Sequence, residues 1–378
     1  MKRMEIFRNQ RVFVTGHTGF KGSWLALWLW KLGARVTGYS LPAPTEPSNY
    51  LTSQVEALLE NHVSGDVRDF PRLQAALAAS EPSVVFHLAA LTLVRRSYAD
   101  PRQTLEINTM GTVNILEAVR SLGRPCVVVI VTSDKCYDNC DPLRRYREGD
   151  RFGGADPYSA SKAAAEIVAA AYRSSYFPAD RVRGHGVKVA TVRAGNAIGG
   201  GDWAEDRIVP DAVKAAVARK PLGISNPAAI RPWQHLLVPL SGYLQLAARL
   251  LASDDPWLCT GWNFGPNPGE EATVRDLVEM ILEGWKGVRW EDSSGTVQPH
   301  EARALRLCNE KARLGLGWQP RWNLRETVRR TVRWYQQYYA NPFRSTRDRC
   351  LEDIHDYEAA LANESLLQQK EFAYAFGR

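Results

Sequence analysis

The sequence predicts an α/β protein built on a doubly wound parallel sheet, with a smaller C-terminal lobe appended. Three observations carry that prediction. β-Prone runs alternate with helical patterns through the first half of the chain, a glycine turn joins the first strand to the first helix, and the alternation loosens beyond residue 193. A chain of 378 residues is long enough to bury a full core and to form two domains.

Taken in order, Arg11-Val12-Phe13-Val14-Thr15 is a short strand that runs into Gly16-His17-Thr18-Gly19-Phe20-Lys21-Gly22 and then an apolar helix from Ser23 to Leu32. Glycines at that junction let a backbone approach a pyrophosphate, and the helix start offers free N–H groups with a positive dipole end. Gly33 closes the helix and Arg35 to Tyr39 is the second strand, so strand, turn, helix and strand together predict a Rossmann-type dinucleotide site. His17 and Lys21 place possible positive charge beside the phosphates. Val63 to Val67 reads as a third strand ending at Asp66, followed by a helix over Phe70 to Ala79. Ser83 to Leu88 is a buried strand leading into the small residues Ala89 and Ala90. Asn108 to Leu122 is amphipathic, and the apolar run Cys126 to Val131 suits a central parallel strand.

That strand delivers Thr132-Ser133-Asp134-Lys135 to the carboxyl edge of the sheet, where ligands bind in such folds. Asp156-Pro157 then starts a helix: the carboxylate caps free N–H groups, proline suits the first position, and the alanines that follow are strong helix formers. Tyr158 and Lys162, four apart, share one face. A free tyrosine titrates near about 10, and a nearby ammonium favours phenolate, which makes the pair a candidate base. Val187 to Val192 is the next strand. Beyond Arg193 to Trp203, helices are expected near Arg207–Arg219, Leu240–Ala252, Val274–Glu283 and Leu324–Tyr339, among Pro- and Gly-containing turns. Arg207, Arg231, Trp233 and His235 are candidates for holding a diphosphate. A further amphipathic stretch covers Leu351 to Leu361.

Composition narrows the class. The apolar stretch Trp24 to Trp30 is far short of the roughly 20 residues a bilayer needs, and no signal peptide is visible. Six cysteines without a Cys-x-x-Cys pair argue against a disulfide framework or a metal site and for a cytoplasmic location. The formal charge of +7 is spread over doublets such as Arg95-Arg96 and Arg329-Arg330, which argues against nucleic acid.

The spacing Gly-x-x-Gly-x-x-Gly, with Tyr158 and Lys162, resembles the extended short-chain dehydrogenase/reductase family. Leu93 to Tyr98, Ser133-Asp134-Lys135, Arg193 to Asp202 and Ile230 to His235 are similar to its nucleotide-sugar 4,6-dehydratases, over about residues 10 to 340. Leu91-Thr92 departs from the Gln-Pro of that pattern. The resemblance implies NAD as cofactor, with NADP left open because Tyr39-Ser40-Leu41 lacks the acidic residue that holds the adenosine ribose. It implies a cofactor wall of Gly16, His17, Gly19, Phe20, Lys21, Gly22, Asp66, Val67, Leu88, Ala89, Ala90, Thr132, Tyr158 and Lys162. Arg96, Asn196, Arg207, Arg231 and His235 are implied to hold the sugar nucleotide, a CDP-linked glucose. It further implies that Tyr158, aided by Lys162 and Ser133, takes the C4 hydroxyl proton during oxidation. Asp134 then protonates the departing C6 hydroxyl, with Lys135, where relatives carry Glu, taking part in the elimination. A 4-epimerase and a non-catalytic dinucleotide-binding module are the alternatives. An epimerase needs no acid for water loss, which Asp134-Lys135 argues against, and binding modules usually lose Tyr or Lys. The expected layout is residues 1–192 for the dinucleotide domain, 193–340 mainly for substrate and 341–378 as a tail. A homodimer is expected through the Tyr158 helix and its neighbour from Asn108, with Ala165, Ala169 and Ala170 allowing close approach.

Overall fold

The computed structural model describes residues 2–140, 143–285, 287–293 and 304–376. Seven strands make one sheet: β1 (Arg11–Thr15), β2 (Arg35–Ser40), β3 (Asn61–Ser64), β4 (Val84–His87), β5 (Cys126–Val131), β6 (Val187–Ala194) and β7 (Gly261–Phe264). Their order is β7-β6-β5-β4-β1-β2-β3, and every pairing is parallel. The chain thus winds outward from β1 in one direction and from β4 in the other. The switch point between β1 and β4, paired Val14 to Phe86 and Thr15 to His87, is where a doubly wound sheet opens a crevice.

Strand periodicity explains how both faces are covered. Val12, Val14, Val84, Phe86, Val127, Val129, Ala190 and Val192 point into one apolar core, whereas Phe13, Val85, Val128, Ile130, Val187 and Val189 point into another. Helices α1 (Phe20–Lys31) and, from the C-terminal half, Leu237–Ala252 pack on the first face. Helices α2 (Phe70–Ser80), α3 (Gly111–Ser121) and α4 (Pro157–Ser175) cover the second. Each fully buried Val, Leu or Phe contributes roughly 1.5–3 kcal/mol, so the sheet is held chiefly by these alternating side chains.

Several boundaries differ from the sequence reading. α1 begins at Phe20, three residues earlier than Ser23, because the glycine turn itself supplies its first turn. β3 ends at Ser64 rather than Asp66: Gly65 still donates to the Ser40 carbonyl at 3.0 Å, but Asp66 stands beyond the ladder. The helix expected from Asn108 opens with a π-turn over Glu106–Met110 before α3. The sequence reading missed β7, which comes from within 193–340 and pairs with β6 as the edge of the main sheet. The tail is anchored: helix Arg347–Phe376 buries Cys350, Ile354 and Tyr357, and Glu358 accepts from Trp28 at 2.8 Å and pairs with Lys31. Residues 377 and 378 of that expected tail lie outside the described residues.

Candidate active site

A cleft of about 1240 Å³ opens at the carboxyl edge of the sheet, larger than the roughly 300–1,000 Å³ of a single small-ligand site and so roomy enough for two ligands side by side. One wall is the glycine turn. Gly16 has φ +74°, and a Cβ there would lie 2.7 Å from the Ala89 nitrogen; at Gly22 a Cβ would lie 2.1 Å from the Gly16 carbonyl oxygen. Only glycine permits this packing. Gly19 precedes α1 and caps it with no side chain, which leaves the N-terminal N–H groups of a twelve-residue helix available to an anion. Phe20, Lys21, Asp66, Val67, Leu88, Ala89, Ala90 and Thr132 continue this wall. At the end of β2, Ser40 and Thr18 hydroxyls lie 2.8 Å apart, so neutral groups stand where an acid was missed. Arg68 binds the Asp66 carboxylate through its Nη2 at 2.7 Å and thereby holds it below the usual carboxylate range. A dinucleotide fits these groups: a cradle that excludes Cβ atoms, a free helix start and hydroxyls for a ribose.

The second wall brings the candidate catalytic residues together. Asp156 caps α4 by accepting from Ser159 N–H at 2.9 Å, and α4 places Tyr158 and Lys162 one turn apart against the cleft, both largely buried. The strand end after β5 brings Ser133, Asp134 and Lys135 to the same place. Ser133 donates to one Asp134 carboxylate oxygen at 3.0 Å, whereas the other oxygen is buried without a partner. Burial pushes the Asp134 acid above the usual range, although Lys135 and the Ser133 hydroxyl pull the other way. Burial thus favours the protonated form of Asp134 more than water would.

The phenol departs from expectation. Burial pushes Tyr158 up to about 12, against the lowering effect of the Ser133 hydroxyl. Lys162 donates to the Val131 carbonyl at 3.3 Å and is itself pushed down to about 8, by burial first and then by the Lys21 charge. Desolvation outweighs the charge effect that the four-residue spacing suggested.

Arg96, Asn196, Arg207, Arg231 and Trp233 line the far side of the cleft. Two histidines do not. His17 turns away beneath the glycine turn, where its Nε2 lies 2.9 Å from His62 Nδ1 and its ring meets Tyr50 edge-on. Burial, then the His62 charge, push it down to about 3, so it adds no cation beside a phosphate. His235 pairs in a short strand with Ile198 and is wholly buried between Trp24 and Trp322. Its side chain is part of the core and holds no diphosphate, because Trp24 and Trp322 pack on the ring and close it off from the cleft.

Sequence reasoning missed a contact across the cleft mouth. Arg207 pairs with Asp202 at 2.8 Å and donates to the Thr92 hydroxyl at 2.9 Å, so Thr92 meets a candidate substrate-binding residue on the far side of the cleft. It also missed Glu166 and Arg193, an ion pair behind α4 with neither side chain exposed by more than 3%.

Comparison with known proteins follows the same lines. The family model for GDP-mannose 4,6 dehydratase matches residues 13–331. The CDP-glucose 4,6-dehydratase of Salmonella typhimurium is 48% identical over 336 residues, which span 88% of this chain and 92% of that one. A dTDP-glucose 4,6-dehydratase from Streptomyces venezuelae, solved with NAD bound, is 25% identical with a TM-score of 0.73, covering 87% of this chain and 98% of that chain. MoeE5, solved with UDP-glucuronic acid and NAD, is 25% identical with a TM-score of 0.71, covering 86% of this chain and 99% of that one.

Proposed function

The chain belongs to the GDP-mannose 4,6 dehydratase family, and from that premise we propose that it converts CDP-D-glucose to CDP-4-keto-6-deoxy-D-glucose. It is a hydro-lyase with a dehydrogenase fold, and NAD is its cofactor. Bound NAD supplies a temporary hydride acceptor between C4 and C6 and ends as it began. The remaining work falls to side chains. Tyr158 takes the C4 hydroxyl proton, Ser133 and Lys162 orient the reacting hydroxyl and the ribose, and Asp134 gives a proton to the C6 oxygen as it leaves. As water leaves C6, the C5 proton made acidic by the C4 ketone is removed by a base, a step in which Lys135 is proposed to take part. The observation that carries this reading is Asp134: a buried acid with one unpartnered oxygen, at the strand end that faces Tyr158 and Lys162. An epimerase has no use for it.

Arg96, Asn196, Arg207 and Arg231 are proposed to hold the nucleotide diphosphate and sugar, with Arg supplying forked contacts to phosphate. The assembly proposed is a homodimer. Ala165 and Ala169 are buried within the chain and so do not serve the contact, but Leu105, Met110 and Ile167 on the helices of that face are 43%, 49% and 59% exposed. Among the described residues no helix is long and apolar enough to cross a membrane, and the six cysteines are free, which fits the proposed cytoplasmic location.

Mass analysis of each nucleotide-linked glucose after incubation tests the function. CDP-glucose should lose one water, and deuterium at C4 should reappear at C6. Stoichiometric release of reduced cofactor, or deuterium lost to solvent, would overturn the reading.

A further inference from the structure

We infer that Glu166 and Arg193 are positioning residues that fix the two halves of the active site against each other. The inference rests on the catalytic roles proposed above. Glu166 lies one turn beyond Lys162, itself one turn beyond Tyr158, so three residues of one α4 face meet the strand ends. Its carboxylate accepts four hydrogen bonds: from Thr132 Oγ1 at 2.5 Å, Thr191 Oγ1 at 2.7 Å, Arg193 Nε at 2.7 Å and Arg193 Nη2 at 2.8 Å. Both oxygens are saturated. Arg193 then reaches forward with Nη1, which donates to the Tyr137 hydroxyl at 2.7 Å and the Glu148 carbonyl at 3.1 Å. Tyr137 in turn donates to Asn263 on β7 at 2.7 Å.

The placement matters more than the strength. Burial alone would raise the Glu166 acid, yet the Arg193 charge and the hydrogen bonds outweigh it and hold the carboxylate ionised. A buried ion pair is costly to desolvate, and apolar residues of the same volume often pack as well or better, so stability is a weak reason for one here. Direction is a better reason. Thr132 immediately precedes Ser133 and Asp134, and Tyr137 lies two residues beyond Lys135. The bond from Thr132 to Glu166 therefore ties the strand end that bears the acid to the helix that bears Tyr158 and Lys162. Arg193 ties the same helix to the segment leaving the site. An apolar pair would leave the helix free to slide, and a displacement of about 1 Å can cost 10²-fold in rate.

Glu166→Gln would strand the Arg193 charge and risks the fold, so a threonine comparison makes the test. Thr132→Val and Thr191→Val each remove one hydroxyl from the same carboxylate, but only the first cuts the tie to the catalytic strand end. Thr132→Val, read at saturating NAD because Thr132 also lines the cofactor wall, should lower kcat about 10- to 100-fold while KM for CDP-glucose stays within about twofold. Thr191→Val should lower kcat less than about threefold at a similar loss of thermal midpoint, and Thr132→Ser should restore the parental rate. Equal kcat losses in the two valine variants, or a parental kcat in Thr132→Val, would overturn the inference. A parent enzyme that oxidises C4 without losing water would overturn the dehydratase reading separately. The threonine comparison would then still decide the positioning role on the rate of C4 oxidation.

Discussion

Ser133 donates to one oxygen of Asp134 and leaves the other oxygen buried and bare, so the acid is oriented from one side and open on the other. Asp134→Asn keeps that shape and the bond to Ser133 but removes the transferable proton. Oxidation at C4 should survive, whereas elimination should slow by about 10²- to 10⁴-fold. In a single turnover the variant should therefore build up reduced nicotinamide that the parent never shows. A variant that turns over like the parent, or loses both steps together, would move the role of acid to Lys135. Because burial raises the Asp134 acid, elimination in the parent should fall as pH rises through that raised value, since the protonated form is the active one.

Tyr158→Phe should abolish the oxidation itself. No other hydroxyl on that face of α4 lines the cleft beside Lys162, so no neighbour on the helix can take the C4 hydroxyl proton in its place. Single-turnover formation of reduced nicotinamide should drop by at least about 10²-fold with the thermal midpoint close to the parent's. Retention of most of the oxidation rate would show that another group takes the proton.

The local part of this site was legible in sequence because it is written in short-range periods. Asp156, Tyr158 and Lys162 need only a helix start and a four-residue turn, and the glycine turn needs only its neighbours on both sides. What was not legible depends on long-range burial. His235 and an arginine of the substrate wall look equally polar in sequence, but a strand pairing with Ile198 turns the histidine into the core. Gly261–Phe264 is four residues long and shows no alternation that would separate a buried edge strand from a turn. Glu166 did offer a signal, its spacing of four from Lys162. Its meaning depends on Arg193, which arrives from β6 only when the sheet assembles.

Ile167→Lys should dissociate the proposed dimer. The residue is 59% exposed on α4, and a charge placed in an apolar contact between two copies of this face would be desolvated without a partner. Sedimentation should give a dimer for the parent and a monomer for the variant. A parent that sediments as a monomer at working concentration would reject the proposal, as would a variant that stays dimeric.

Acid should destabilise the fold in a way traceable to buried histidines. Burial pushes His17, His87 and His235 down to about 3, with His62, Lys162 and Arg330 adding to the effect at each in turn. In the unfolded chain each titrates near about 6.5. Between those values the unfolded state binds protons that the folded state refuses, so stability is fully present above about 6.5 and falls as pH drops. The limit is about 1.4 kcal/mol per histidine per pH unit. Asp353 works the other way: burial raises it to about 6 despite Arg330, so its contribution shrinks as pH rises toward 6. Comparing the parent with one variant separates the two. His235→Phe removes one titrating group from a site walled by Trp24 and Trp322 and leaves Asp353 in place. Denaturant unfolding from pH 7 to 4.5 should then show a shallower fall, by up to one proton's worth of slope, whatever the variant's stability at pH 8. A slope unchanged from the parent's would mean that His235 is already protonated in the fold, and that its burial between the two tryptophans does not keep it neutral.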